Sequence, residues 1–139
     1  MHHMSIRIQV EDGIPVLRLT GDQRYDDMIE LGSRLAHYAP ETVIERLIVD
    51  ETDMGYADPG ARLYALQVAR RFIYQRVALL RSGNSLNTAI VLLIARRSGK
   101  VKHIKVFNLK AEAIEWLLKP TDRTDEEDVS RDRHTTNLP

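Results

Sequence analysis

The sequence predicts an α/β fold: a single domain with a mixed, mostly parallel sheet, an N-terminal β-hairpin at its edge, and about four helices. Three observations predict it. Short strand-like runs alternate with stretches of helical periodicity in the order ββαβαβαβα, a pattern that favours parallel strands joined by right-handed crossovers. Asp12-Gly13 separates the first two runs, as a tight hairpin requires. The length and composition, 139 residues of which 43% are apolar, suit one domain that buries roughly two-thirds of its unfolded surface. The βα units share a rhythm but no repeated residues.

Each element has a local reason. Ile6, Ile8 and Val10 alternate with polar neighbours, the period of a half-buried strand, and Ile14 to Leu19 resumes beyond the turn. Pro15 lacks an N–H and belongs at the start of that strand or on an edge. Gly21-Asp22 is expected to break it. Asp26, Asp27 and Glu30 crowd the start of a helix, where carboxylates complement the dipole, and Met28, Leu31, Leu35 and Tyr38 form its apolar stripe before Pro40. Leu47-Ile48-Val49 reads as a buried central strand ending at Asp50.

A short loop then leads to Asp58-Pro59, where aspartate is a favoured N-cap and proline at the first helical position loses no needed hydrogen bond. Ala61, Ala65, Val68, Ala69 and Phe72 follow at helical spacing, and Val77 to Leu80 is the next strand, closed by Ser82-Gly83-Asn84. Leu86 to Arg97 contains a seven-residue apolar run compatible with a strand, Ala89 to Ala95. Its spacing fits a helix stopped by Gly99, and a helix is expected. Ile104 to Phe107 is the last strand, Asn108 its following cap, and Ala113, Ile114, Leu117 and Leu118 the buried side of a final helix ended by Pro120. The domain is thus expected to span 1–120. Thr121 to Pro139 has Val129 and Leu138 as its aliphatic side chains, too little to offset chain entropy, and is expected to be a disordered charged tail.

Composition bounds the function. There is no cysteine, which removes disulfides and thiol catalysis and fits a reducing compartment. No apolar run reaches the ~20 residues of a membrane span, and the first ten residues lack a signal-peptide pattern, so a cytoplasmic domain is expected. The 20 basic and 20 acidic residues cancel but are segregated, with 11 basic and no acidic residues from Pro59 to Lys110. Arg96, Arg97, Lys100, Lys102 and Lys105 could form an anion-binding face. The plainer reading is that acidic and basic parts mate within the fold or across a symmetric dimer. No aromatic residues interleave the basic run for base stacking, so nucleic acid is not an expected partner.

From Glu45 to Leu118 the chain resembles the STAS family, the fold of bacterial anti-sigma-factor antagonists and of the cytoplasmic domain of sulfate transporters. The residues that carry the likeness are Leu47-Ile48-Val49-Asp50, the loop to Asp58-Pro59-Gly60 and the helix through Tyr64. Val77-Ala78-Leu79-Leu80, Ala95-Arg96-Arg97-Ser98-Gly99, and the strand-to-helix run from Val106 through Asn108 to Ala113-Ile114-Glu115-Trp116-Leu117 complete it. The antagonists hold an Asp-Ser pair in the loop after the central strand, and phosphorylation of that serine breaks a complex with a partner. Here the stretch reads Tyr56-Ala57-Asp58-Pro59-Gly60. Proline stands where the hydroxyl would be and can accept no phosphate, and Thr52 lies too far upstream to inherit the role. What the resemblance still implies is a surface for protein contact around this helix start.

Other constellations have plainer explanations beside the sharp ones. Asp50, Glu51, Asp53 and Asp58 lie at the C-terminal end of a strand, where a divalent cation or a phosphoacceptor aspartate could sit. A helix cap at Asp58 and solvated loop charges at the other three account for them. The histidines show no metal-ligand spacing, and neither a metal nor another cofactor is expected. Ser82, Asn84 and Ser85 precede a helix and could hold an anion by backbone N–H groups, although turn and capping duty suffices. No Gly-x-Ser-x-Gly elbow or P-loop is present. The resulting expectation is a non-catalytic regulatory or scaffolding module that binds a protein partner, or a second copy as a homodimer, through Asp53, Tyr56, Asp58, Gly60 and Arg62. The alternative is a small-ligand protein, for an anion, nucleotide or lipid, centred on Ser82, Asn84 and Ser85.

Overall fold

The computed structural model describes residues 5–23, 25–38, 43–81, 83 and 85–120. In chain order the elements are β1 (Ser5–Glu11), β2 (Ile14–Gln23), α1 (Tyr25–Tyr38), β3 (Val43–Asp50), β4 (Met54–Ala57), α2 (Pro59–Ala69), β5 (Ile73–Leu80), α3 (Ser85–Ser98), β6 (Val101–Phe107) and α4 (Lys110–Leu118). The sheet runs β1-β2-β3-β5-β6, with β4 paired to β2 beyond the end of β3. The β1–β2 pair is antiparallel and the other pairings are parallel. The expected tail with His134, the N-terminal His2 and His3, Pro40, Ser82 and Asn84 lie outside the described residues, as do the side chains of the α1 stripe.

Local chemistry sets most of these elements. Asp12 and Gly13 both take positive φ, 53° and 77°, the geometry that lets a two-residue hairpin follow strand twist. Val10 faces Pro15, and β3 joins β2 only from Val16 onward, so the missing proline N–H interrupts no central pairing. The Leu86–Arg97 periodicity does belong to a helix, which stops where Gly99 adopts φ 68°. Asn108 is not a cap: Leu109 occupies the N-cap of α4 and makes no side-chain bond there.

Two strand expectations need correction. Gly21-Asp22 does not end β2. Gly21, at φ 75°, bends the strand through a register shift, and β2 continues to Gln23 against β4. The loop before Asp58 accordingly contains a short strand, Met54–Ala57, so the order is ββαββαβαβα.

Side chains on the two sheet faces build two cores. Leu17, Leu19, Leu47 and Val77 pack with Ala61 and Val68 of α2 on one face. Ile14, Val16, Ile48, Ala78 and Leu80 pack with Ala113, Trp116 and Leu117 of α4 on the other. Helix α2 contacts both α1 and α3. Gly32 permits the first approach, since a Cβ there would lie 3.1 Å from Val68 Cγ2. The parallel crossovers therefore share one layer while α4 closes the opposite face, as right-handed connections added in one direction require.

Candidate functional site

At the C-terminal end of the sheet, the chain from β3 to α2 is held by its own polar groups. Asp50 Oδ1 accepts from Thr52 N–H at 3.1 Å and from Thr52 Oγ1 at 2.6 Å, and Met54 N–H closes the turn on Glu51 O at 3.0 Å. Asp53 Oδ2 pairs with Arg18 at 2.9 Å, but both side chains are more than half exposed and the pair adds little stability. Glu51 corrects the expectation of solvated loop charges: it is fully buried. The turn folds the chain back onto β2 and takes this side chain inside while Thr52 and Asp53 face solvent. Among the described residues, no three carboxylate or imidazole side chains gather as a metal-holding group.

Strand β4 is braced from two sides. The Asp22 carboxylate accepts from Tyr56 N–H at 2.9 Å, and Asn87 Nδ2 donates to Gly55 O at 2.8 Å and Met54 O at 3.3 Å. Gly55 has no room for a side chain, because a Cβ would collide with the Asp22 carboxylate and lie 3.3 Å from Asp22 N. Asp22, Gly55 and Asn87 are thus positioning residues that the sequence offered only as a strand breaker, a loop glycine and one position of a helix.

The helix start follows from this bracing. Asp58 N–H donates to Gln23 O at 3.1 Å, its Oδ1 accepts from Ala61 N–H at 2.7 Å, and Pro59 takes the first helical position. Asp58→Ala is expected to lower stability by about 1 kcal/mol, the usual worth of such a cap, measured as a shift in urea midpoint. Gly60 follows, half-buried. Arg62 stacks its guanidinium 5.6 Å from the centre of the Tyr56 ring, worth roughly 0.5–1 kcal/mol at such an exposed site.

Tyr56 of β4 and Leu63 of α2, on either side of this start in the chain, are 59% and 61% exposed. The structure therefore brings Tyr56, Asp58, Gly60 and Arg62 together, and Asp53 stands on the preceding turn. Ser85 is the exposed first residue of α3, while Ser82 and Asn84 lie outside the described residues.

The basic residues Arg96, Arg97, Lys100, Lys102 and Lys105 are exposed at the end of α3 and along β6. Arg96 and Arg97 complement the negative end of the α3 dipole. Lys102 and Lys105 lie on an edge strand, where lysines discourage strand addition. Lys110 pairs with Glu11 at 2.8 Å, a link between the basic segment and the acidic N-terminal part.

The hairpin edge, the parallel crossovers and the capped helix after the central strands together make a mixed α/β fold of the SpoIIAA-like kind. Among solved structures, the chain is similar to an uncharacterized protein of the DUF3478 family with a SpoIIAA-like fold from Shewanella loihica PV-4. The two share 18% identity at a TM-score of 0.63 over 84% of this chain and 95% of that one. No protein-family model and no curated protein matches the chain. No helix among the described residues is long and apolar enough to cross a membrane.

Proposed function

We propose that this domain is a non-catalytic regulatory or scaffolding module that binds another protein, or a second copy of itself, through β4 and the start of α2. The observation that carries this reading is the exposure of Tyr56 and Leu63, 59% and 61%, on a segment braced by Asp22, Asn87 and Asp58. Exposed aromatic and aliphatic side chains on rigid backbone bind at small entropic cost, and Tyr and Arg are frequent anchors of protein interfaces. The SpoIIAA-like fold agrees with such a role. Pro59 at the position of the antagonists' serine means that contact here would be constitutive rather than switched by phosphorylation at that residue.

The double variant Tyr56→Ser/Leu63→Ser tests the reading. Native mass spectrometry and pull-down with the wild-type chain should show a dimer or a specific partner, and the variant should lose it at an unchanged melting temperature. If the wild type is monomeric and captures nothing, or if the variant keeps the complex, the reading fails.

A further inference from the structure

On the α4 side of the sheet, beside the end of that helix, a cleft of about 250 Å³ is lined by Glu45, Arg46, Gln75, Arg76 and Lys119. The strand register explains why cations meet there. Arg46 of β3 and Arg76 of β5 are direct partners in the parallel ladder, which sets two guanidinium groups on one face of strands about 5 Å apart. Arg76 reaches the end of α4, donating to Trp116 O at 3.0 Å and to Lys119 O at 2.6 Å, and so holds Lys119 beside the pair. Arg46 and Lys119 are exposed, and neither side chain makes an ion pair or hydrogen bond with a described residue. Glu45 is the one carboxylate in the lining and is not ion-paired with either of them, so three cations stand against one anion.

Like charges on neighbouring strands repel unless a counter-charge joins them. Arg76 commits its Nη1 to the carbonyls at the end of α4 and offsets the negative end of that helix, which would otherwise repel an anion. The groups that remain to touch a ligand are the exposed Arg46 guanidinium and Lys119 ammonium, with the half-buried Gln75 amide between them. A planar guanidinium binds two oxygens of a phosphate at once, and an ammonium adds a compact point charge. Sites for drug-sized ligands measure roughly 300–1,000 Å³, so this cleft suits a smaller body. We propose that it binds the phosphoryl group of a small molecule, a dianion held by Arg46 and Lys119. The site lies across the sheet from α2 and does not depend on the protein-contact surface. It also moves the anion alternative away from Ser82, Asn84 and Ser85.

Methyl phosphate and methanesulfonate are the probes, titrated into the full chain at constant ionic strength and followed by amide and guanidinium NMR. At about pH 7.5 the first is largely a dianion, its second pKa being about 6, while the second carries a single charge. Saturable shifts are expected at Arg46, Gln75 and Lys119, with methyl phosphate bound roughly tenfold tighter, as one further charge-assisted contact allows. Arg46→Gln should weaken methyl phosphate by about tenfold or more. Arg96→Gln removes the same charge from α3, in the helix layer on the opposite face, and should leave binding unchanged. No saturable shift at millimolar concentration, or shifts centred on other residues, would overturn the site. Equal affinity for the two probes would overturn the dianion assignment. Equal effects of the two variants, whether both weaken binding or neither does, would overturn the role of Arg46. Its side chain is exposed and its replacement should not unfold the domain; if it does, Lys119→Gln takes its place in the same comparison.

Discussion

Arg76→Ala is expected to lower the unfolding free energy by roughly 3–4 kcal/mol, a large share of the stability of a domain this size. Arg76 is a cation inside the protein, 3% exposed on β5. Its Nη1 donates to Trp116 O at 3.0 Å and to Lys119 O at 2.6 Å, and its guanidinium lies 5.6 Å from the centre of the Trp116 ring. The last carbonyls of a helix have no partner within it and carry the negative end of its dipole. Trp116 O keeps a 3.3 Å bond from Lys119 N–H, and Arg76 adds a charged donor to it and to Lys119 O just past the helix, so fastening the end of α4 to β5. Alanine would remove two charge-assisted bonds, the ring contact and the filling of the space between them. Trp116 is the one tryptophan of the chain, so its fluorescence reports the urea transition where the damage occurs. Arg76→Lys should recover part of the loss, because an ammonium can reach a carbonyl but cannot stack flat on the indole. An unchanged midpoint in Arg76→Ala would refute this account.

What the sequence could and could not reveal follows from the range of the forces involved. Helix or strand character is a matter of residue periodicity, so the hairpin, the capped α2 and the contested α3 were legible from neighbours in the chain. Strand β4 was not. Its four residues, Met54–Ala57, carry no periodicity of their own and become a strand only because β2 bends at Gly21 and runs on to meet them. Arg76 was illegible for a similar reason, since its partners lie 40 and 43 residues away in α4. Glu51 and Asp53 look alike in the sequence. Which of them turns inward depends on how the 51–54 turn meets β2, and that is a tertiary contact. At the candidate site, Asp58 declared itself through its proline neighbour. Asp22 and Asn87, which hold β4 in place, did not, because side-chain bonds to backbone more than 30 residues away leave no local pattern.

Ile48→Ala should cost roughly 4 kcal/mol, toward the upper part of the range for such truncations. Ile48 is fully buried, and the register puts it in one row with Val16 of β2 and Ala78 of β5 beneath Trp116 and Leu117. Relaxation into the space would lessen the cost, but β3 is hydrogen-bonded along both sides and Ala78 is already small, so little can move inward. Val49 is its control. It follows Ile48 in the chain, points to the other face, is half-buried and borders a cavity under α2 and α3. Truncating Val49 to alanine removes less buried surface from a wall that is already loosely filled, and should cost only about 1 kcal/mol. Chemical denaturation of both variants by the same fluorescence transition reads the difference. Equal costs would mean that the two faces are packed alike, which would contradict the loosely filled space on one side of the sheet.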